Sequence, residues 1–182
     1  KDSRPPERLG LYFETVVDAG IIKEFVQDVD TAEGKVRLIG SIFGSTSDPK
    51  PIIEMSDLPA NELIAATWRP LSIGFSEIRP AFRNIKMKAA YRDGRLVIDK
   101  LTADKGSGSV QASGTVNIYN NKDAESHLDI NLRDATVVYP VAVLKNFESQ
   151  ISGNLVLSGQ GAPYKLAGDI NICLLYTSPS PR

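Results

Sequence analysis

The sequence predicts a mostly β fold: an elongated, open β-sheet groove, solenoid-like, with one to three short helices. Three observations predict it. Apolar residues recur at alternate positions over most of the chain, which sets them on one face of a strand. Clusters of Gly, Asn and Asp separate these runs as turns. A block of pattern also recurs, with Gly34 and Gly153 standing 119 positions apart.

Taken in order, residues 9–17 and 35–43 read as strands. Between them, residues 20–29 place Ile21, Ile22, Phe25, Val26 and Val29 at helical spacing and read as a short helix. The stretch 47–83 is the least regular, interrupted by Pro49, Pro51, Pro59, Pro70 and Pro80; within it, 58–67 reads as a helical turn or simply loop. Residues 85–91 put Ile85, Met87, Ala89 and Tyr91 opposite Lys86, Lys88 and Ala90. Arg92-Asp93-Gly94 signals a hairpin into a partner strand over 95–101.

The clearest alternation runs over 108–119, with Val110, Ala112, Gly114, Val116 and Ile118 on one face. Ser109, Gln111, Ser113, Thr115 and Asn117 take the other. A turn at 120–123 leads into 127–133, where Leu128, Ile130 and Leu132 oppose His127, Asp129, Asn131 and Arg133. Residues 140–147 open with a proline and read as another short helix. In 165–172, Leu166, Gly168, Ile170 and Ile172 oppose Lys165, Ala167, Asp169 and Asn171.

The repeat sets the expected architecture. Ile21-Ile22-Lys23-Glu24-Phe25 parallels Val143-Leu144-Lys145-Asn146-Phe147, and Gly34-Lys35-Val36-Arg37-Leu38 parallels Gly153-Asn154-Leu155-Val156-Leu157. Asp48-Pro49 and Ala162-Pro163 follow in turn. Residues 1–172 are therefore expected to be a fragment of a repetitive groove domain, with units of roughly 20–140 and an incomplete 141–172. At about 4.8 Å between neighbours, roughly ten strands would make a trough on the order of 50 Å long.

Residues 173–182 break the pattern. They resemble the in-frame translation of a transposase sequencing adapter, with all ten residues fitting, and the simpler alternative is a Pro-rich tail. On the first reading they are set apart from the fold, Cys173 is not native, and the protein continues past Ile172. A start at Lys1 without a signal-peptide pattern likewise fits a fragment.

Composition narrows the function. In 182 residues, 21 Lys and Arg meet 22 Asp and Glu for a net charge of −1, which argues against a dedicated nucleic-acid binder. No run of 18 apolar residues predicts a spanning helix. Lys105-Gly106-Ser107-Gly108 lacks a phosphate loop's Gly-Lys-Ser/Thr ending and precedes a strand, so it reads as a turn. His127, the single histidine, has no second His or Cys near it and reads as a surface residue. Asp99, Asp104, Asp129 and Asp134 are scattered, no serine has a nucleophile context, and Trp68 reads as packing. Lys86 and Lys88 form a solvated strand face. No catalytic residue, metal site or cofactor is expected, and the chain is not expected to be an enzyme.

That leaves the apolar face. Its simpler role is packing against a second sheet. Its functional role is to line a groove open to an apolar ligand, which suits a face of aliphatics, Gly and Ala with few aromatics to plug it. The expected groove lining is Val110, Ala112, Val116, Ile118, Leu128, Ile130, Leu132, Leu166 and Ile170.

Two stretches carry a family resemblance. Gly34-Lys-Val-Arg-Leu-Ile-Gly-Ser-Ile-Phe-Gly-Ser-Thr-Ser-Asp-Pro49 resembles a "G-x-hydrophobic … G-[ST]-x-x-x-P" element of the TamB family, the translocation and assembly module proteins of AsmA-like type. Asp93-Gly-Arg-Leu-Val-Ile-Asp-Lys-Leu-Thr-Ala103, followed by Gly108-Ser-Val-Gln-Ala-Ser-Gly-Thr-Val116, is similar to that family's strand pair. The resemblance spans about 9–172, and the stretch 47–83 departs from the pattern.

It implies a long β-taco with an apolar interior, periplasmic and tethered to the inner membrane of a diderm bacterium by a segment absent here. It implies lipid transport for outer-membrane biogenesis, with phospholipid acyl chains as ligands, and an outer-membrane β-barrel partner of TamA type. One alternative is a scaffold or chaperone for outer-membrane β-barrel assembly or secretion, acting by β-augmentation. Another is an extracellular β-solenoid enzyme such as a polysaccharide lyase, which the single His and scattered acids fit least.

Overall fold

A computed structural model describes residues 8–24, 28–57, 68–117, 125–139, 147–160 and 163–177. Alternating residues fold into eleven strands. They are β1 (Arg8–Asp18), β2 (Val29–Glu33), β3 (Lys35–Ser45), β4 (Asp48–Ser56), β5 (Leu71–Phe75), β6 (Phe82–Arg92), β7 (Arg95–Lys105), β8 (Gly108–Asn117), β9 (Ser126–Tyr139), β10 (Phe147–Gly159) and β11 (Lys165–Thr177). All pairings are antiparallel, in the order β1-β3-β4-β6-β7-β8-β9-β10-β11, with β2 and β5 branching off at β6. The mostly β, open-sheet expectation holds.

The hairpins follow from local chemistry. Arg92 pairs with Arg95 across a two-residue loop in which Asp93 and Gly94 have φ of 51° and 74°. Both positive angles match a type I′ turn, whose twist suits the flanking strands. Lys105 likewise pairs with Gly108 across Gly106-Ser107, so the Gly-rich element is a turn.

Three expectations need correction or lie elsewhere. The helix over 20–29 is instead a 3₁₀ turn, Ala19–Glu24, and Val29 opens β2. Asp18 caps the turn, its Oδ1 accepting from Gly20 N at 2.8 Å. Six residues are too few to offset helix nucleation, and Val29 gains more by pairing with Phe75.

The stretch 47–83 is not irregular throughout, since it supplies β4 and β5. Pro49 and Pro51 are tolerated because residues 48–51 of β4 pair only with β3, and pairing with β6 starts at Ile52. The short helix over 140–147 and the turn over 58–67 lie outside the described residues, apart from Phe147, which starts β10. The strand parts of the two expected repeat copies fall in β3–β4 and β10–β11, while residues 21–24 lie in the 3₁₀ turn and Phe25 and residues 143–146 lie outside the described residues. β11 pairs with β10 beyond Ile172 to Thr177, and Cys173 is the residue passed over at a register shift.

The sheet forks at β6. Residues 88–92 of β6 pair with β4, while Leu71 and Ile73 of β5 pair with Ile85 and Phe82. One branch continues as β4-β3-β1 and the other as β5-β2. The branches are joined at Gly34, whose φ of 103° lets the chain reverse against Leu71, and Gly34 O accepts from Ala19 N at 2.9 Å. The core lines this fork: Ala19, Val29, Ala32, Leu71, Ile85 and Ala103 are buried, with Val36, Ile73, Phe82, Met87 and Leu101 packed on them.

Candidate functional site

Register carries one apolar face across the whole sheet. Following partners strand by strand gives the row Thr15, Leu38, Met55, Ala89, Ile98, Gly114, Leu128, Leu157, Leu166. Only the first of these nine is polar. Parallel rows run Leu101, Ala112, Ile130, Leu155, Gly168 and Ala103, Val110, Leu132, Gly153, Ile170. Nine strands at about 4.8 Å spacing make the face about 40 Å long.

Strict alternation would break this face, and bulges repair it. Register shifts fall between Arg83 and Lys86, between Ile98 and Leu101, and opposite Ile151 and Gly153 in β9. At each, inward residues stand three apart: Phe82 and Ile85, Ile98 and Leu101, Leu132 and Ala135. Asn84 (φ 49°) and Asp134 (φ 47°) absorb the extra residue, and Ser152 Oγ accepts from Asp134 N at 2.8 Å. Bulges bend the strand and raise its twist, which curves the sheet.

The structure brings eight of the nine expected lining residues onto this face; Ile118 lies outside the described residues. Val110 is buried at 7 %, while Ala112, Val116, Leu128, Ile130 and Leu132 are half-buried. Leu166 and Ile170, on β11, are 59 % and 50 % exposed. Beyond its sheet neighbours, β9 meets the segment 76–81 at Val138, whose N donates to Arg79 O at 2.7 Å. Among the described residues, Leu128, Ile130, Leu155 and Leu157 therefore stay half-buried rather than covered by a second layer. Reading the sequence missed Leu96, Ile98, Leu101, Leu155 and Leu157 as members of the face. The available signal was two polar residues between apolar ones, as in Ile98-Asp99-Lys100-Leu101.

The opposite face is polar and paired across strands. Arg37 donates to Glu14 Oε1 from Nε at 3.0 Å and from Nη2 at 2.9 Å. Asn131 Nδ2 of β9 donates to Asn154 Oδ1 of β10 at 2.6 Å, and within β9 His127 Nε2 lies 3.4 Å from Asp129 Oδ1. Asn117 is the exception. It is 1 % exposed rather than solvated, because Tyr164 Oη donates to its carbonyl at 2.8 Å and its Nδ2 donates to Gln160 O at 3.4 Å.

One margin of the apolar face is covered. β5, β2 and the segment 76–81 lie over it, pinned by Lys105, which is 1 % exposed. Its Nζ donates to Ile78 O at 3.0 Å and to Pro80 O, and sits 4.1 Å from the centre of the Phe82 ring. Burial lowers its pKa to about 8.

In the fork between the branches lies a cavity of about 550 Å³. It is lined by Val36, Leu38, Met55, Leu71, Ile73 and Met87, among other apolar side chains, with Asp18 as the one charged residue among those described. Among the described residues no three His, Cys, Asp or Glu gather as metal ligands, and no helix is long and apolar enough to cross a membrane.

Neither a curated protein nor a solved structure matches the chain. Residues 99–173 match the family model described as the TamB C-terminal domain. The matched stretch runs from within β7 into β11, the part of the sheet where the apolar face lies open. Over residues 99–173 the chain is thus similar to the TamB C-terminal domain.

Proposed function

We propose that the chain is part of an envelope-spanning lipid-transfer protein and that its apolar face carries phospholipid acyl chains between the inner and outer membranes of a diderm bacterium. One observation carries this reading: apolar rows run unbroken from strand to strand and stay open across β8 to β11. Each methylene removed from water contributes about 0.8 kcal/mol, so ten supply about 8 kcal/mol. Association costs offset about 4 kcal/mol or more of that. A chain is thereby held loosely and with no fixed polar partner, which lets it slide. The polar face keeps the outside of the trough in water. The periplasmic, inner-membrane-tethered setting and a TamA-type barrel partner belong to this proposal and rest on the family.

Photo-crosslinking in the full-length protein in cells tests it. A photoreactive residue replaces Val116, Leu128 or Ile130, with the exposed Ser113 and Asp129 as outward controls. Phospholipid captured at the inward sites alone is the expected result. Capture of barrel proteins with no lipid at any site overturns it in favour of the assembly scaffold.

A further inference from the structure

The cavity in the fork differs from the open trough in ways the sliding mechanism does not use. It has walls on two sides, because β4-β3-β1 and β5-β2 diverge from β6 and the 3₁₀ turn closes the wedge between them. Its 550 Å³ falls within the range of small-ligand pockets, about 300–1,000 Å³. Leu38 and Met55 stand both in its wall and in the long apolar row, so the pocket opens onto the face rather than standing apart from it.

We infer that this pocket is a blind station that takes the methyl end of a single unbranched acyl chain. The inference rests on the lipid-transfer reading above and adds a fixed site to it. The lining chemistry selects the occupant. Among the described residues no side chain in the wall is cationic, and the one carboxylate, Asp18, is engaged by Gly20 N. An anionic headgroup therefore finds no partner inside and stays outside, while the tail enters. A linear chain lying along the row past Leu38 and Met55 needs no bend to continue inward. Met55 and Met87 add unbranched, adaptable side chains that fit a flexible tail better than a rigid ring. The trough would then contain one site where a chain stops, against many positions where it slides.

The test is titration of the purified chain with cis-parinaric acid, a fluorescent linear fatty acid, read by its emission. One saturable high-affinity site is expected. Leu38→Phe and Met55→Trp, two half-buried wall positions, fill the pocket and should each weaken that site at least tenfold. Far-UV circular dichroism checks that both variants fold, and having two guards against the failure of one. Ser113→Asp, on the exposed polar face, should leave the site within about twofold. Retention of the site in both wall variants overturns the pocket while leaving the trough reading intact. The absence of any saturable site in the unmodified chain also overturns it. Lipid crosslinking at Ile130 in cells reports on the trough independently of both results.

Discussion

Lys105 makes a quantitative test of the fork. The residue is 1 % exposed, its ammonium lies between the Ile78 and Pro80 carbonyls and the Phe82 ring, and burial lowers its pKa from 10.5 to about 8. Below about pH 8 the lysine is charged in both the folded and unfolded chain, so the folded state carries the full cost of desolvation. Between about 8 and 10.5 the folded chain has released the proton while the unfolded chain still holds it. Stability therefore rises with pH across that window.

At about pH 9.5 the gain over about pH 7 is about 2 kcal/mol, from 1.36 kcal/mol per pH unit above the folded pKa. The carbonyls and the ring favour the charged form, so about 2 kcal/mol is the most the effect can reach. In a chain of this size that is about 4–8 °C in melting temperature. The assay is urea unfolding at about pH 7 and about pH 9.5 for the wild type and Lys105→Met, followed by circular dichroism. Taking the difference between the two proteins removes the other tyrosines and lysines. The wild type should gain on the variant by 1–2 kcal/mol as pH rises (about the span worked above). A flat difference, or one that moves the other way, would refute the desolvated ammonium.

Two further outcomes follow from exposure and packing. A Cβ at Gly40 would run into the ring of Phe13, its partner on β1, so Gly40→Ala should cost about 1–3 kcal/mol. Most of that cost should vanish in a Phe13→Ala background, measured as a double-mutant cycle in urea; persistence of the full cost would place the strain elsewhere. Leu166 is 59 % exposed on β11, so Leu166→Lys should change stability by less than about 0.5 kcal/mol. It should nevertheless reduce lipid crosslinking at the neighbouring Leu157 position, and undiminished crosslinking would remove β11 from the proposed path.

Local pattern carried much of the fold. Alternation placed Val110, Ala112, Val116, Leu128, Ile130, Leu132, Leu166 and Ile170 on one face, because the side-chain period of a strand is two whatever its neighbours are. Asp93-Gly94 announced its hairpin, because the positive φ angles of that turn are a property of two residues. The helical reading of 20–29 failed for a non-local reason: Val29 belongs to a pairing with Phe75 that no local period reports.

The sequence by itself thus determined strands, faces and the simplest turns, all of which are decided within a few residues. Tertiary structure decided the rest. Only the assembled sheet shows that β6 takes two partners on one side, that a pocket opens where they diverge, and that Lys105 is buried under the segment 76–81. It also turns three offsets of three residues into bulges that keep the apolar face unbroken. The physical reason is that strand pairing is a contact between distant segments. Alternation says which way a side chain points, but register and partner choice fix what it meets.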